Sequence, residues 1–243
     1  YRGHRNQIGQ TNVAVPRDSY IPLTVTEVSS GREVTVFNQN PALRGQFDVV
    51  FANHDELDAS LHGVDVTIHR GMRDGWMLMG SLSLGKSEAD IYGEFIASDL
   101  NNPNFLFRRG PRPDDVPVAF KMSGAYDLPY GLRMAANGQY FSGGPETTTV
   151  RVSSNTVRLT QVNQTITVEP RGTTRLPGVT LVDLNLTKIW RRGNFTLEPR
   201  IDVFNLLNSS AITLRLTQLG PAYGRASEIL GARLIRAGAN VRW

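Results

Sequence analysis

Apolar and polar residues alternate over long stretches of this chain. In residues 194–205, Phe195, Leu197, Ile201 and Val203 fall on one face with Pro199 among them, while Thr196, Glu198, Arg200 and Asp202 fall on the other. A helix would spread those charges around its axis, whereas a strand points successive side chains to opposite faces and sorts them. In residues 116–128 the apolar face is Val116, Val118, Phe120, Met122, Gly124, Tyr126 and Leu128, against Ala119, Lys121, Ser123, Ala125 and Asp127. Residues 132–140 set Leu132, Met134, Ala136, Gly138 and Tyr140 against Arg133, Asn137 and Gln139. Residues 182–189 and 235–243 repeat the pattern, the second ending on Val241 and Trp243 opposite Arg242. Residues 62–69 and 76–85 follow it less cleanly, and residues 1–11 are a weak eighth candidate.

Each segment runs for about ten residues, which suits a tilted strand crossing a bilayer (about 9–11 residues) better than an ordinary soluble strand of about 5–6. The connections alternate in length. Residues 71–75, 129–131 and 191–193 are tight turns carrying Gly, Pro or Asp, while residues 12–57, 88–115, 142–178 and 206–231 are long. Outer-membrane barrels have short periplasmic turns and long extracellular loops, and a soluble sandwich has no reason to segregate loop length by side. The expected fold is therefore all-β: an antiparallel up-and-down transmembrane β-barrel segment of about eight strands, spanning residues 1–243, in the bacterial outer membrane. Pro199, mid-strand and without an N–H, predicts a bulge or local bend.

Aromatic placement agrees. The chain has three Trp. Trp76 follows one short turn, Trp190 precedes another, Trp243 ends the final strand, and Tyr126 and Tyr130 flank the third turn. Strand parity puts all five at the periplasmic end, where an aromatic girdle is expected.

Composition adds mostly exclusions. Cysteine is absent, which removes disulfides, thiolate metal sites and Cys nucleophiles. No apolar run approaches the roughly 20 residues of a spanning helix. The net charge of +4 is dispersed; Arg108, Arg109 and Arg112 form the densest basic patch beside Asp114 and Asp115, and no nucleic-acid motif accompanies it. Residues Tyr1 to Arg5 have no signal-peptide character, which leads to the expectation that the natural N-terminus lies upstream.

Catalytic chemistry is not legible. His62 and His69, seven apart on a strand, face opposite sides. His54 with Asp55, Glu56 and Asp58 has the residue types of a loop metal site, and a solvated acidic loop explains it more simply. No phosphate loop or βαβ context is present. The expectation is a non-enzyme without cofactor or metal. Lys121, Asp127, Arg133, Asp183, Glu198, Arg200 and Asp202 form a candidate lumen-facing polar wall, read either as a surface touching a plug and passing ligand or as cross-strand pairs that neutralise each other.

Residues Arg200 to Asn208 (RIDVFNLLN) resemble the DVFNLLN segment near the end of TonB-dependent outer-membrane receptors. Ala222-Tyr223-Gly224 and Ile229-Leu230-Gly231-Ala232-Arg233 continue that likeness. The stretch Leu61 to Arg70 resembles the strand element of the Oar-like branch, with His62 where Tyr is usual; Asn101-Asn102-Pro103-Asn104 and Tyr126 to Gly131 also resemble that branch. Its members often carry a carboxypeptidase-regulatory-like N-terminal domain. The resemblance implies the C-terminal part of a 22-stranded barrel occluded by a plug, with energy supplied by the TonB complex through an N-terminal part absent here. It implies uptake of a large scarce solute, outer-membrane lipid and the rest of the barrel and plug as partners, and Trp243 as the terminal aromatic read by the assembly machinery. The competing expectations are a free-standing small barrel with a structural or adhesive role, and a soluble β-sandwich binding module.

Overall fold

The computed structural model describes residues 2–5, 7–55, 57–90, 99–104 and 109–243. The protein is all-β. Seven long strands run in sequence order as an antiparallel meander: β1 (Ala59–Arg73), β2 (Trp76–Ala89), β3 (Val118–Leu128), β4 (Leu132–Phe141), β5 (Val179–Lys188), β6 (Phe195–Phe204) and β7 (Leu234–Arg242). Each pairs with its neighbours in the chain, and among the described residues the sheet does not close on itself. Their spans match the alternating segments, because the alternation is the two-faced character of each strand.

Short turns and long connections strictly alternate. Between β1 and β2 the pair Arg73 and Trp76 closes on Asp74 (φ 53) and Gly75 (φ 81). Two consecutive positive φ values define the twist-compatible type I′ turn, and Asp-Gly is a sequence that tolerates them. Strands β3 and β4 join through Pro129–Gly131. The extension Trp190–Arg192 pairs back on β6, and Gly193 (φ 57) opens that turn.

The turns are staggered. One cross-strand row runs Trp76, Tyr126, Met134, Leu186, Ile201, Ala237 from β2 to β7. Beyond that row the three turns are centred about 1.5, 4 and 7.5 residues further on, a stagger of about 1.5 residues per strand. At about 3.3 Å per residue and about 4.8 Å between strands, turns lying at one level require strands inclined by about 45°.

The buried core lies outside the long strands. Val25, Val34 and Val36 of the hairpin Tyr20–Thr26/Glu33–Gln39 pack with Val150, Val152, Leu159, Ile166 and Val168 around the hairpin Thr149–Ser153/Asn163–Thr167. Both hairpins belong to long connections, so these connections fold into a cap rather than remaining open loops. Two further hairpins are Ile212–Arg215/Ala226–Ile229, within the last long connection, and Ile8–Asn12/Val49–Asn53, which brackets the first. Arg171, itself buried, ties the cap to the sheet by donating to the carbonyls of Ala89 (2.5 Å), Gly110 (3.1 Å) and Pro111 (3.0 Å). Arg175 adds an ion pair to the buried Asp115 at 2.5 Å.

Two sequence expectations need correction. The described residues among 1–11 do not form one strand. Arg2–His4 adds three residues beside Ala59 to Leu61, and the chain then leaves the sheet to pair Ile8–Asn12 with Val49–Asn53. Pro199 makes no bulge. The ladder to β7 runs in register through Glu198, Pro199 and Arg200. Toward the preceding strand, pairing lapses between Arg200 and Leu197 and resumes in the same register. On that side the positions Lys188/Pro199 and Ile189/Glu198 are unpaired, so the strand tolerates a residue without a donor by letting the ladder lapse over two pairs.

Candidate functional site

The register gives the sheet two chemically distinct faces. Val64, Val66 and Ile68 of β1 share a face with Leu78, Leu82 and Leu84 of β2 and with Phe120 and Met122 of β3. It continues through Met134, Leu184, Leu186, Ile201, Val203, Ile235 and Val241. This face is open: Val64 is 62% exposed, Ile201 50% and Ile235 65%. Seven strands at about 4.8 Å spacing, each with about 28 Å of apolar length, make a patch of roughly 900 Å². That exceeds the largest apolar patch of an ordinary soluble monomer, about 300–600 Å².

Ionisable side chains on this face lie only at its margins. His62, Lys86 and Glu88 stand at the cap end, and Arg70, Lys188 and Arg192 at the short-turn end. The charge-free band between them is about 20 Å tall at the inclination derived from the stagger, against about 25 Å for the apolar band of an outer-membrane barrel. The same inclination aligns the aromatics. Trp76, Tyr126, Trp190 and Trp243 are spread over about six residue positions along their strands, yet their backbones fall within about 4 Å of one level. Phe195 joins them; its membership was invisible in the sequence because only the stagger reveals it. Tyr130 sits in the turn below and is 88% exposed.

All seven residues of the candidate polar wall lie on the opposite face, and the structure brings most of them into pairs. Arg133 and Asp127 are direct cross-strand partners at 2.5 Å. Asp202 is flanked on both sides: it accepts from Asn185 Nδ2 at 2.6 Å and Arg236 Nε at 2.9 Å, with Arg200 at 3.8 Å. Asn185 and Arg236 were the partners not singled out from sequence. Asp183 accepts the Asn205 backbone N–H at 2.9 Å. Glu198 stands across from Asn240. Lys121 lies 5.4 Å from the ring centroid of Phe141. Cross-strand neutralisation therefore accounts for the acidic end of the wall, while Lys121 sits among Ser81, Ser123, Asn137 and Gln139 on a more neutral stretch.

Residues 205–208 act locally as a latch. Asn205 adopts φ 51, donates through Nδ2 to the carbonyls of Ser209 (2.9 Å) and Gly231 (2.8 Å), and accepts from the Ser209 N–H at 2.8 Å. Asn208, at φ 53, accepts from the Arg233 N–H at 3.0 Å. The two asparagines thus fasten both ends of the connection between β6 and β7, and left-handed backbone is a conformation Asn tolerates.

In the cap, Glu27 is held down to about 2 by hydrogen bonds from Ser30 and Ser29 at the hairpin tip. Burial lowers the Arg171 guanidinium to about 10. The Arg112 side chain holds the Asp114 carboxyl below its ordinary value. Among the described residues no group of three His, Asp or Glu side chains is placed to hold a metal; Glu56 of the acidic loop and Arg108 of the basic patch lie outside them. No protein-family model matches the chain, and no curated protein is significantly similar to it.

Proposed function

We propose that this chain is the C-terminal portion of the β-barrel of an outer-membrane transporter of the TonB-dependent receptor class, serving energy-coupled uptake of a large solute. The observation that carries this is the open apolar face: a charge-free band about 20 Å tall, bounded by aromatics that reach one level only on a barrel-like inclination of about 45°. On this reading the apolar face meets lipid and the polar wall lines a lumen shared with a plug. The short turns then face the periplasm, and the cap of folded connections faces outward, where it receives the solute. The likeness of residues Arg200 to Asn208 to the receptor segment, and the latch they build, support the family over other barrels.

The test is direct. The protein should sediment with outer membranes, migrate faster on gels unheated than boiled, and show tryptophan fluorescence quenched by brominated lipid. A water-soluble, monodisperse protein without lipid quenching would refute the membrane assignment. A plug-like region in frame upstream supports transport; a signal peptide directly before Tyr1 would refute that part alone.

A further inference from the structure

We propose that the short-turn margin of the apolar face binds anionic phospholipid headgroups, with Arg70 beside Trp76 and Arg192 beside Trp190 as the phosphate-binding groups. The inference rests on the membrane reading above and adds a lipid class to it.

Four observations point there. The first is the face. Arg70 is the cross-strand partner of Leu78 and Arg192 of Phe195, so both point to the apolar side rather than to the polar wall where carboxylates are available. The second is the level. On the inclination set by the stagger, Arg70 is level with Trp76, and Arg192 lies about 5 Å on the turn side of Trp190, which puts the cations at headgroup depth and the rings at the wet–dry boundary.

The third is residual charge. The Arg70 guanidinium stacks 3.9 Å from the Trp76 ring centroid and bonds Asp74 at 3.0 Å, and its side chain stays partly exposed. Exposed Arg73 shares the same Asp74 at 3.6 Å, so one carboxylate serves two guanidiniums. Among the described residues Arg192 has no ion pair, and the Lys188 ammonium has only the Tyr130 carbonyl. The other acid of this margin, Asp127, faces the polar wall and is occupied by Arg133. The fourth is asymmetry. At the cap end the charges neutralise one another: Lys86 pairs with Glu88 at 2.7 Å, and Arg109 pairs with Asp90 at 3.0 Å, so that each cation has its own carboxylate. An excess of cation therefore remains at one margin only. A guanidinium presents paired N–H groups that match two phosphate oxygens, and weak hydration lets it work beside apolar rings.

The experiment uses the full-length protein to which this chain belongs, in vesicles containing brominated phosphatidylglycerol or brominated phosphatidylcholine at equal mole fraction, read by tryptophan quenching. The phosphatidylglycerol should quench about threefold more effectively at low salt, the preference vanishing in 1 M salt, where the screening length is about 3 Å. R70Q/R192Q, checked for folding by its heat-modifiable mobility, should show no preference. Equal quenching by the two lipids in the wild type at low salt overturns the inference, as does a preference that persists at high salt or in the folded double variant. Quenching by neither lipid overturns the membrane reading instead. Should the double variant fail to fold, the wild-type salt titration still decides.

Discussion

If the apolar face meets lipid, the cost of a charge on it depends on depth as well as on face. Met122 lies on that face about 10 Å from the aromatic level toward the cap, close to the middle of the charge-free band. Leu132 lies on the same face at about the aromatic level. Ser123 follows Met122 at nearly the same depth and points to the polar wall, opposite Met79 and Asn137. Three single arginines sample centre, margin and lumen: Met122→Arg, Leu132→Arg and Ser123→Arg.

An arginine facing lipid at the bilayer centre costs about 2–4 kcal/mol, and about 0–1 kcal/mol near the interface, where the side chain reaches headgroups. Met122→Arg should thus shift the folding equilibrium by about 3 kcal/mol, roughly 150-fold. Leu132→Arg should cost under about 1 kcal/mol by the same depth rule. Ser123→Arg, in a wet interior, should cost a similarly small amount, as surface substitutions commonly do within about 0.5 kcal/mol. The assay is urea titration of vesicle-folded protein, scored by the heat-modifiable band, with outer-membrane abundance as the cellular counterpart. If Leu132→Arg costs as much as Met122→Arg, the face packs against protein, as in a sandwich. If Ser123→Arg costs as much as Met122→Arg, the sheet is not two-faced.

Three further outcomes follow from the interactions described. Asp202→Ala leaves Arg236 and Asn185 without their shared acceptor and should destabilise the folded sheet by about 1–3 kcal/mol, measured by the same titration, with Asp202→Asn costing less. Arg171→Met removes three donations to backbone carbonyls and should cost about 3 kcal/mol in cap stability, visible as faster proteolysis between residues 142 and 178 while the long strands stay protected. Glu27 is depressed to about 2 in the folded protein from an ordinary 4.5, so its contribution is fully present above about 4.5 and is lost as pH falls through about 2. Protection of the Ser29 and Ser30 amides, taken relative to their intrinsic exchange rate at each pH, should fall over that window in the wild type and stay constant in Glu27→Gln; identical protection profiles would refute the role given to the carboxylate.

The long strands were legible because the two faces of the sheet differ in polarity, which imposes period two along every strand. The cap was not. Its core joins Val34 and Val36 to Val150, Val152 and Ile166 across more than a hundred residues of sequence, and nothing local marks that pairing. Arg171 and Arg175 carry no sequence signal either; they matter because Ala89, Gly110 and Asp115 are brought to them by the fold. The polar wall was readable as a face, but its partners were not, since register decides that Asp202 meets Asn185 and Arg236. At Pro199 the general rule predicted a bulge, and the chain met the missing donor more cheaply by lapsing on one side.

Strand parity bears on whether the sheet stands alone. In a meander of seven antiparallel strands, β1 and β7 run in the same direction. Bringing their edges together would require a parallel seam, whereas up-and-down barrels of this class use an even number of strands so that every seam is antiparallel. Arg2–His4 covers only Ala59 to Leu61 of β1, so the edge from His62 to Arg73 has no neighbour among the described residues, and β7 has none beyond β6. Unpaired backbone groups cost several kcal/mol each in hydrocarbon, which makes two bare edges untenable in a bilayer. The free-standing small barrel is therefore the weaker alternative, and the lipid reading requires further strands between β7 and β1. The absence of native cysteine gives a clean check. Val66→Cys with Ala239→Cys places one thiol on each edge at a similar depth. The pair should form no intramolecular disulfide in the folded, membrane-inserted protein; rapid, near-complete bridging would show that the seven strands close on themselves.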